Sequence, residues 1–224
     1  MADIKISVIT PTVRPEGLKL VEKALQRQTF TDFEWIIEER HGKPQKGLVW
    51  TLNRDYNRAI KRAKGELIVS WQDYTFAKPD ALEKYWYHYA TEPQCIVSGV
   101  GNKYLDDTWT VVTWQDPRER NDISSFYPCF FNDIEGNFAA VPQRAFDAVG
   151  GFDESLDRYF GMDFFSVMDR LNLLGGWDFK LDQTNKSYSL EHKRPKDWDE
   201  KNALGPIYDK IRQTYIENPR LTYL

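Results

Sequence analysis

The chain has 224 residues, and its 30 Lys and Arg against 34 Asp and Glu give a formal net charge of −4. With 41% hydrophobic and 29% charged residues, it is neither a disordered nor a collagen-like chain. The negative balance also argues against a globally basic nucleic-acid binder. At about 150 residues per domain the length fits one large or two small domains. Because the sequence shows no repeat and no linker, we expect a single domain over residues 1–224.

Two cysteines, Cys95 and Cys129, are too few for the disulfide framework of a small secreted protein. The N-terminus enters an apolar stretch without a charged-then-apolar leader. No apolar run approaches the roughly 18 residues of a membrane span. We therefore expect a cytoplasmic protein without a transmembrane segment, with peripheral attachment to a membrane left open.

In the first half, apolar residues alternate or run continuously in three short segments and recur at helical spacing between them. The predicted strands cover residues 4–9, 33–37 and 66–71, and the predicted helices cover residues 16–28, 52–63 and 79–89. This strand–helix order implies a parallel sheet with right-handed crossovers. Residues 1–100 therefore predict a nucleotide-binding half.

The second half, residues 101–224, has a less regular pattern. Strands are predicted at residues 95–100, 110–114, 138–141 and 177–181, and helices from Pro142, over 162–174 and over 206–217. Residues 116–133 mix charge, proline and aromatic side chains without a period, which is typical of a long functional loop. We expect an α/β fold in which this half forms a second lobe on a mixed sheet.

The three predicted parallel strands run into polar residues, with Thr12 after the first, Glu38 after the second and Asp73 after the third. Ligands of such sheets bind outside the carboxyl ends of the strands, so we expect these side chains to converge. The chain has no Gly-x-Gly-x-x-Gly after its first strand and no Gly-Lys-Ser/Thr loop. These absences argue against a dinucleotide-dependent dehydrogenase and against a P-loop enzyme.

Short phrases between Ile4 and about His192 occur in a characteristic order. They are SVITPT at 7–12, QRQTFTDFE at 26–34, NRAI at 57–60, AKGE at 63–66, NFAAVP at 137–142 and GGFDE at 150–154. Together they resemble a family 2 glycosyltransferase of the GT-A fold. The resemblance implies an inverting transfer of a sugar from a nucleotide-sugar, most often a UDP-sugar, to a hydroxyl of a glycan or lipid-linked glycan.

The resemblance also implies a set of donor-binding residues. Backbone groups of the first strand end would frame the nucleobase, an acid at the second strand end would accept hydrogen bonds from the base or ribose, and a helical amide would face the donor. A one-residue slip in register would replace Glu38 by Glu39, and the alternative for Asn57 is a polar surface residue. The full predicted set is Thr10, Pro11, Thr12, Glu38, Asn57 and Asp73.

A divalent cation, Mn²⁺ or Mg²⁺, is the cofactor that the resemblance implies. Asp73 and His192 would hold it so that it bridges the diphosphate and takes up the charge of the leaving group. The family has Asp-x-Asp where this chain has Gln72-Asp73-Tyr74, which keeps one carboxylate. The alternatives are a solvated turn aspartate at position 73 and a structural or exposed histidine at position 192.

Asp163 is the predicted general base. The family often has Glu-Asp at the start of its late helix, and this chain has Met162-Asp163. The reaction needs a carboxylate within hydrogen-bond reach of the acceptor hydroxyl, and a helix start would favour its ionised form. The alternatives are an acid that only complements the helix dipole, or a base at Asp153 or Asp169.

The acceptor site is predicted around the loop of residues 116–133. Trp114, Arg118 and Tyr127 combine rings for stacking on a sugar with groups that fix hydroxyls or phosphates. The alternatives are a lid over the whole site and a packed surface loop.

Two further functions remain open on the sequence. The basic residues of the helix at 52–63 and of the run at 192–196 are typical of solvated faces. The run at 192–196 could instead be a flexible segment that closes over the diphosphate. If the acceptor is a modified base in DNA, these residues could form a track for its phosphates. A non-catalytic domain that binds a nucleotide or a glycan is the alternative from another class, and the single carboxylate at Asp73 favours it.

Overall fold

Nine strands form one mixed sheet in the computed structural model, which describes residues 4–39, 46–120, 125–159, 161, 163–192 and 205–224. The strands are β1 (Ile6–Thr12), β2 (Phe33–Glu39), β3 (Leu67–Trp71), β4 (Thr75–Ala77), β5 (Cys95–Tyr104), β6 (Val112–Trp114), β7 (Phe126–Pro128), β8 (Phe138–Pro142) and β9 (Asp178–Leu190). The helices within these ranges are α1 (Leu18–Leu25), α2 (Leu52–Arg62), α3 (Ala81–Thr91), α4 (Gln143–Val149), α5 (Asp163–Leu174) and α6 (Gly205–Glu217).

The main path of the sheet has the order β2-β1-β3-β8-β5-β9-β4, with β6 paired to β5 and β7 paired to β9. β1 is parallel to β2 and β3, as predicted from the alternation of strands and helices. β8 is antiparallel to both β3 and β5, and β9 is parallel to β5. The two halves of the chain therefore share one continuous sheet, because β8 of the second half lies between β3 and β5.

Side-chain alternation along the central strands divides the core between the two faces of the sheet. Ile6 and Val8 of β1 pack in a cluster with α1 and α3, whereas Ile9 packs in a second cluster with α2, α4 and α5. β1 and β3 are buried along their whole length, as expected for strands covered by helices on both faces. The result is a three-layer α/β/α arrangement.

The structure extends or corrects several predicted elements. β1 continues through Pro11 to Thr12, although β3 pairs with it only as far as Ile9. Beyond that point β1 has a ladder partner on one side, which is where a strand tolerates proline. The segment predicted as an irregular loop over 116–133 contains β7 and a short 3-10 helix at Phe131–Asp133. β9 reaches Leu190, well past the predicted end at residue 181.

The described ranges contain no helix with the length and apolar character needed to cross a membrane. Cys95 is buried and Cys129 is half-buried, and both are free thiols.

Candidate functional site

The carboxyl ends of β1, β3 and β9 lie at the same edge of the sheet. β1 and β3 are parallel, and the two antiparallel steps from β3 to β8 and from β8 to β5 restore the direction in β5 and in its parallel neighbour β9. Thr12 ends β1, Asp73 follows β3 and His192 follows β9. The predicted convergence of Thr12 and Asp73 is present in the structure, and β9 brings His192 to the same edge.

Asp73 is a buried, ion-paired carboxylate, with 4% of its surface exposed. Its Oδ2 accepts a 2.5 Å hydrogen bond from the hydroxyl of Thr12 and a 3.2 Å bond from Nε of Arg14. Its Oδ1 accepts a 2.7 Å bond from Nη2 of Arg14. The Thr12 hydroxyl oxygen in turn accepts from the backbone N–H of Arg14 at 2.8 Å. Asp73 is therefore not the solvated turn aspartate of the alternative interpretation.

Tyr74 joins this carboxylate to the end of β9. Its ring lies 5.4 Å from the guanidinium carbon of Arg14 and stacks on the ring of His192 with a centroid distance of 5.3 Å. The backbone of Tyr74 adopts φ +59°, a left-handed conformation that is uncommon outside glycine. Its hydroxyl donates to Glu16 at 2.7 Å, and its carbonyl accepts from the backbone N–H of Leu190 at 2.9 Å. Burial and the Glu16 carboxylate raise the pKa of Tyr74 to about 12.

The two residues predicted to bind a divalent cation, Asp73 and His192, already have partners within the protein. Both oxygens of Asp73 already accept hydrogen bonds from Thr12 or Arg14. Nδ1 of His192 lies 3.2 Å from the carbonyl of Leu190. The described residues contain no group of three or more His, Cys, Asp or Glu side chains placed to hold a metal ion. A cation at this edge stays a prediction.

Asp163, the predicted general base, begins α5 and is partly buried. Burial raises the pKa of its carboxyl to about 6, although hydrogen bonds from its own backbone N–H and from that of Phe164 act in the opposite direction. The net pKa lies above the ordinary value of an aspartate, so burial outweighs the effect of the helix start that was predicted to favour the ionised form. Burial raises the pKa of the nearby Tyr56 phenol, and the charges of Asp163 and, more weakly, Asp73 act in the same direction.

Glu38 and Asn57 both have partners within the protein. The Glu38 carboxylate forms ion pairs with Arg58 at 3.3 Å and Arg62 at 2.7 Å, both on α2. Asn57 is 1% exposed; its amide nitrogen donates to the carbonyl of Phe152 at 3.0 Å and its oxygen accepts from the N–H of that residue at 2.8 Å. Asn57 therefore ties α2 to the turn before α5, and is not the polar surface residue of the alternative interpretation.

Thr10 and Pro11 lie inside the fold at the end of β1. The Thr10 hydroxyl donates to the carbonyl of Trp71 at 2.7 Å and accepts from the indole N–H of Trp35 at 2.9 Å. Pro11 is opposite Glu38 in the parallel register of β1 and β2. The Thr10 hydroxyl is thus engaged within the protein, and a backbone contact from this strand end to a base stays a prediction.

The three predicted acceptor residues differ in their surroundings. Trp114 is 39% exposed on β6, with Nζ of Lys103 lying 5.7 Å from its ring centroid. Arg118 is mostly buried: it forms an ion pair with Asp116 and donates to the carbonyl of Asp133 at 2.6 Å. The Tyr127 hydroxyl donates to the carbonyl of Arg118 at 3.0 Å. The structure thus leaves Trp114 available to a ligand, whereas Arg118 and Tyr127 hold the segment together.

The basic residues of α2 are mostly matched by acids. Arg54 pairs with Asp157 at 3.0 Å, and Arg58 and Arg62 pair with Glu38. An ion-paired helix face is the simpler interpretation of this cluster. The second basic run, at 193–196, lies outside the described residues.

Arg14 and Tyr74 were not singled out in the sequence. Arg14 follows the predicted turn by two residues, and an isolated arginine there carries no pattern. Tyr74 occupies a position where the family has a carboxylate. The residues around it do not predict its left-handed backbone conformation.

A cleft of about 440 Å³ lies elsewhere, between α3, β7 and β9. It contains the imidazole of His88, which lies 2.9 Å from the carboxylate of Asp182 and stacks on Phe126. None of the predicted site residues lines this cleft, so we place the candidate site at the strand ends.

No protein-family model matches the chain, and no curated protein matches it in sequence. Solved structures do match. S. aureus TarS 1–349 in complex with UDP aligns with a TM-score of 0.63 and 14% identity, over 97% of this chain and 67% of that one. The fold is that of a GT-A glycosyltransferase.

Two more TarS structures agree with that result. TarS 1–349 aligns with a TM-score of 0.59 and 13% identity, over 83% of this chain and 60% of that one. A further TarS structure aligns with a TM-score of 0.63 and 12% identity, over 84% of this chain and 37% of that one. The chain thus spans about two thirds or less of the TarS chains. The structural similarity establishes the shared GT-A fold. Because the sequence identities are this low, membership of family 2 stays a prediction.

Proposed function

We propose that this protein is a glycosyltransferase that moves a sugar from a nucleotide-sugar, with UDP as the nucleotide, to a hydroxyl of a glycan or lipid-linked glycan. The observation that carries the proposal is the cluster of Thr12, Asp73 and His192 at the carboxyl ends of β1, β3 and β9. This edge is where open α/β sheets bind their ligands. The same fold in TarS has been solved in complex with UDP, which supports the choice of nucleotide.

Asp163 is the proposed general base of an inverting reaction. The acceptor oxygen attacks the anomeric carbon on the face opposite the nucleotide and forms the new glycosidic bond. Its proton passes to the Asp163 carboxylate, and the bond from the anomeric carbon to the phosphate oxygen breaks with its electron pair leaving on UDP. A carboxyl whose pKa is raised to about 6 is ionised near neutral pH and still basic enough to accept this proton.

Nucleotide selectivity is the first test. The full chain is heated with UDP, GDP, CDP or ADP, since a ligand that binds the folded state stabilises it in proportion to RT ln(1 + [L]/Kd). UDP is expected to raise the melting temperature most. The chain is then incubated with a panel of UDP-sugars, and release of UDP is followed with Asp163→Asn as the matched control. Equal shifts for all four nucleotides, or no shift, would overturn the UDP-dependent proposal.

A non-catalytic nucleotide-binding domain is the second candidate. It is favoured by Asp73, whose carboxylate is already engaged by Arg14. A UDP-induced shift without release of UDP from any UDP-sugar, in the presence or absence of glycan acceptors, would select this candidate. Transfer to a modified DNA base would instead show as salt-sensitive binding to duplex DNA.

A further inference from the structure

We infer that Arg14 and Lys103 bind the diphosphate of the donor, with Asp73 positioning Arg14, and that diphosphate binding requires no divalent cation. The inference rests on the proposed function, because it assigns the charges that hold the donor in the same site. It differs from the expectation drawn from the resemblance, in which Asp73 and His192 hold a metal ion.

Arg14 keeps free donors at the ligand-binding edge. Its bonds to Asp73 use Nε–H and one Nη2–H, so the second Nη2–H and both Nη1 donors remain. Nη1 has no hydrogen-bond partner among the described residues, and the side chain is 25% exposed. Asp73 fixes the orientation of the guanidinium through one edge, and the N–H donors on the other edge are free to bind phosphate oxygens.

Tyr74 holds the guanidinium from a second direction. The ring lies 5.4 Å from the guanidinium carbon of Arg14, a distance at which a cation and an aromatic face attract each other. A Cβ on Gly17 would approach the Tyr74 ring to 2.4 Å, so glycine at position 17 leaves the room that the ring occupies. An uncommon backbone conformation, held by bonds to Glu16 and Leu190, thus serves to place this ring.

Lys103 supplies the second cation. It lies near the end of β5, opposite Ser189 in the parallel register with β9. Ser189 precedes His192 by three residues, and His192 follows the end of β9. Its side chain is exposed and forms no ion pair with any described residue. His192 stacks on Tyr74, whose ring also lies beside the Arg14 guanidinium, so the end of β9 connects the strand that pairs with Lys103 to Arg14.

The carboxylate at this edge is already matched by a cation. Asp73 contributes one buried negative charge, and Arg14 offsets it. Glu16, which accepts the Tyr74 hydroxyl, adds a second negative charge, and Lys103, which has no ion-pair partner among the described residues, adds a second positive one. Because Asp73 accepts from both Thr12 and Arg14, a metal ion at Asp73 would have to replace donors that are already in place.

Calorimetry of the full chain with UDP and with uridine tests the inference. UDP is titrated with Mn²⁺, with Mg²⁺ and with excess EDTA, and we expect its affinity to agree within about twofold in all three. Lys103→Gln should weaken UDP binding by ~10-fold or more, the size of a lost charge-assisted contact, and leave uridine binding unchanged. Arg220→Gln, which removes an exposed arginine from the C-terminal segment, is the charge-matched control.

Arg14 needs a paired design because Arg14→Gln leaves Asp73 buried without its partner. The double variant Arg14→Gln with Asp73→Asn removes both charges, and we expect it to fold and to lose UDP affinity while keeping that for uridine. Arg14→Lys should retain part of the affinity. A loss of UDP binding of tenfold or more in EDTA, or parent-like UDP affinity in both Lys103→Gln and the double variant, would overturn the inference. If the parent bound UDP in none of the three conditions, the proposed function would fail with it.

Discussion

Thr12 and Asp73 lie 61 positions apart in the chain, and the hydroxyl of Thr12 donates a 2.5 Å hydrogen bond to Oδ2 of Asp73. The bond links the carboxyl ends of β1 and β3 at the point where their ladder has ended. Burying a carboxylate is costly unless it is paired and hydrogen-bonded, and Thr12 supplies one of the donors that make it tolerable. The bond therefore couples the local geometry of the site to the stability of the fold.

Thr12→Val should lower the melting temperature, because it removes this donor while keeping the shape of the side chain. An unmet hydrogen bond to a buried charged group costs about 1–3 kcal/mol, and each kcal/mol lowers the melting temperature of a chain this size by about 2–4 °C. Thr12→Ser keeps the hydroxyl and is the matched control. Thermal unfolding of the three proteins checks this, and indistinguishable curves for the Val and Ser variants would contradict it.

Asp163→Asn should cut sugar transfer by roughly 10² to 10⁴, because the near-isosteric amide cannot accept the acceptor proton. UDP binding should stay within about twofold of the parent. In the parent, kcat/KM should fall as the pH drops below about 6, where the carboxyl becomes protonated. Steady-state kinetics across pH 5–8 measure both effects. A variant within a few fold of parental turnover would move the base to Asp153 or Asp169.

The pH dependence of stability gives an independent test of Asp163. Its carboxyl pKa is raised from an ordinary 3.8 to about 6 in the folded chain, so the folded state binds this proton more tightly than the unfolded state does. The contribution to stability is therefore full below pH 4 and is lost as the pH rises through 6. Asp163→Asn should unfold at a higher temperature than the parent at pH 7, with a gap that closes towards pH 4. A gap independent of pH would contradict the raised pKa.

Hydrophobic periodicity was sufficient to predict the β-α-β-α-β half of the fold. β1 and β3 are apolar runs and α2 has one apolar face, so burial alone selects these elements. The strand order then brings Thr12 and Asp73 together. Fold class and the position of the ligand-binding edge were therefore accessible from the sequence.

The structural roles of polar residues with tertiary partners could not be predicted from hydrophobic periodicity. The second part of β9 contains Asn185 and Ser187, which are buried against other parts of the fold, so the strand lacks an apolar pattern. Arg14 is set in place by a carboxylate 59 positions away. Arg118 resembles a ligand-binding residue in composition, but its contacts show that it holds the chain together. Each of these assignments depends on long-range pairing, which no local pattern encodes.

Arg118→Ala should act mainly on stability, in contrast to an acceptor-binding role. The substitution leaves Asp116, which is 1% exposed, without its ion-pair partner. Breaking a buried pair in this way costs about 3–5 kcal/mol. Tyr127→Phe, which removes only the hydrogen bond to the Arg118 carbonyl, should cost about 0.5–1.5 kcal/mol. Denaturant unfolding measures the free energy of unfolding of both variants, and we expect the larger loss in Arg118→Ala. Parental stability in Arg118→Ala with a raised acceptor KM would restore the acceptor role.

Trp114 is the predicted acceptor residue that the structure leaves accessible. It lies on β6, opposite Lys103 in the ladder with β5, and 39% of its surface is exposed. Because Trp114 is exposed on β6, a short strand that pairs only with β5 among the described strands, Trp114→Ala should change the melting temperature little. It should raise the acceptor KM by about tenfold, since stacking of an aromatic ring on a ligand contributes on the order of 1 kcal/mol or more.

The donor side of the reaction should not respond to this change. UDP affinity and hydrolysis of UDP-sugar without acceptor should stay within about twofold of the parent, and Trp114→Phe should recover most of the acceptor affinity because it keeps a ring. Acceptor-dependent change in tryptophan fluorescence, lost in Trp114→Phe, would report the contact directly. If Trp114→Ala reduced donor hydrolysis as much as transfer, β6 would instead cover the whole site, and Trp114 would act by shielding the diphosphate cations from water.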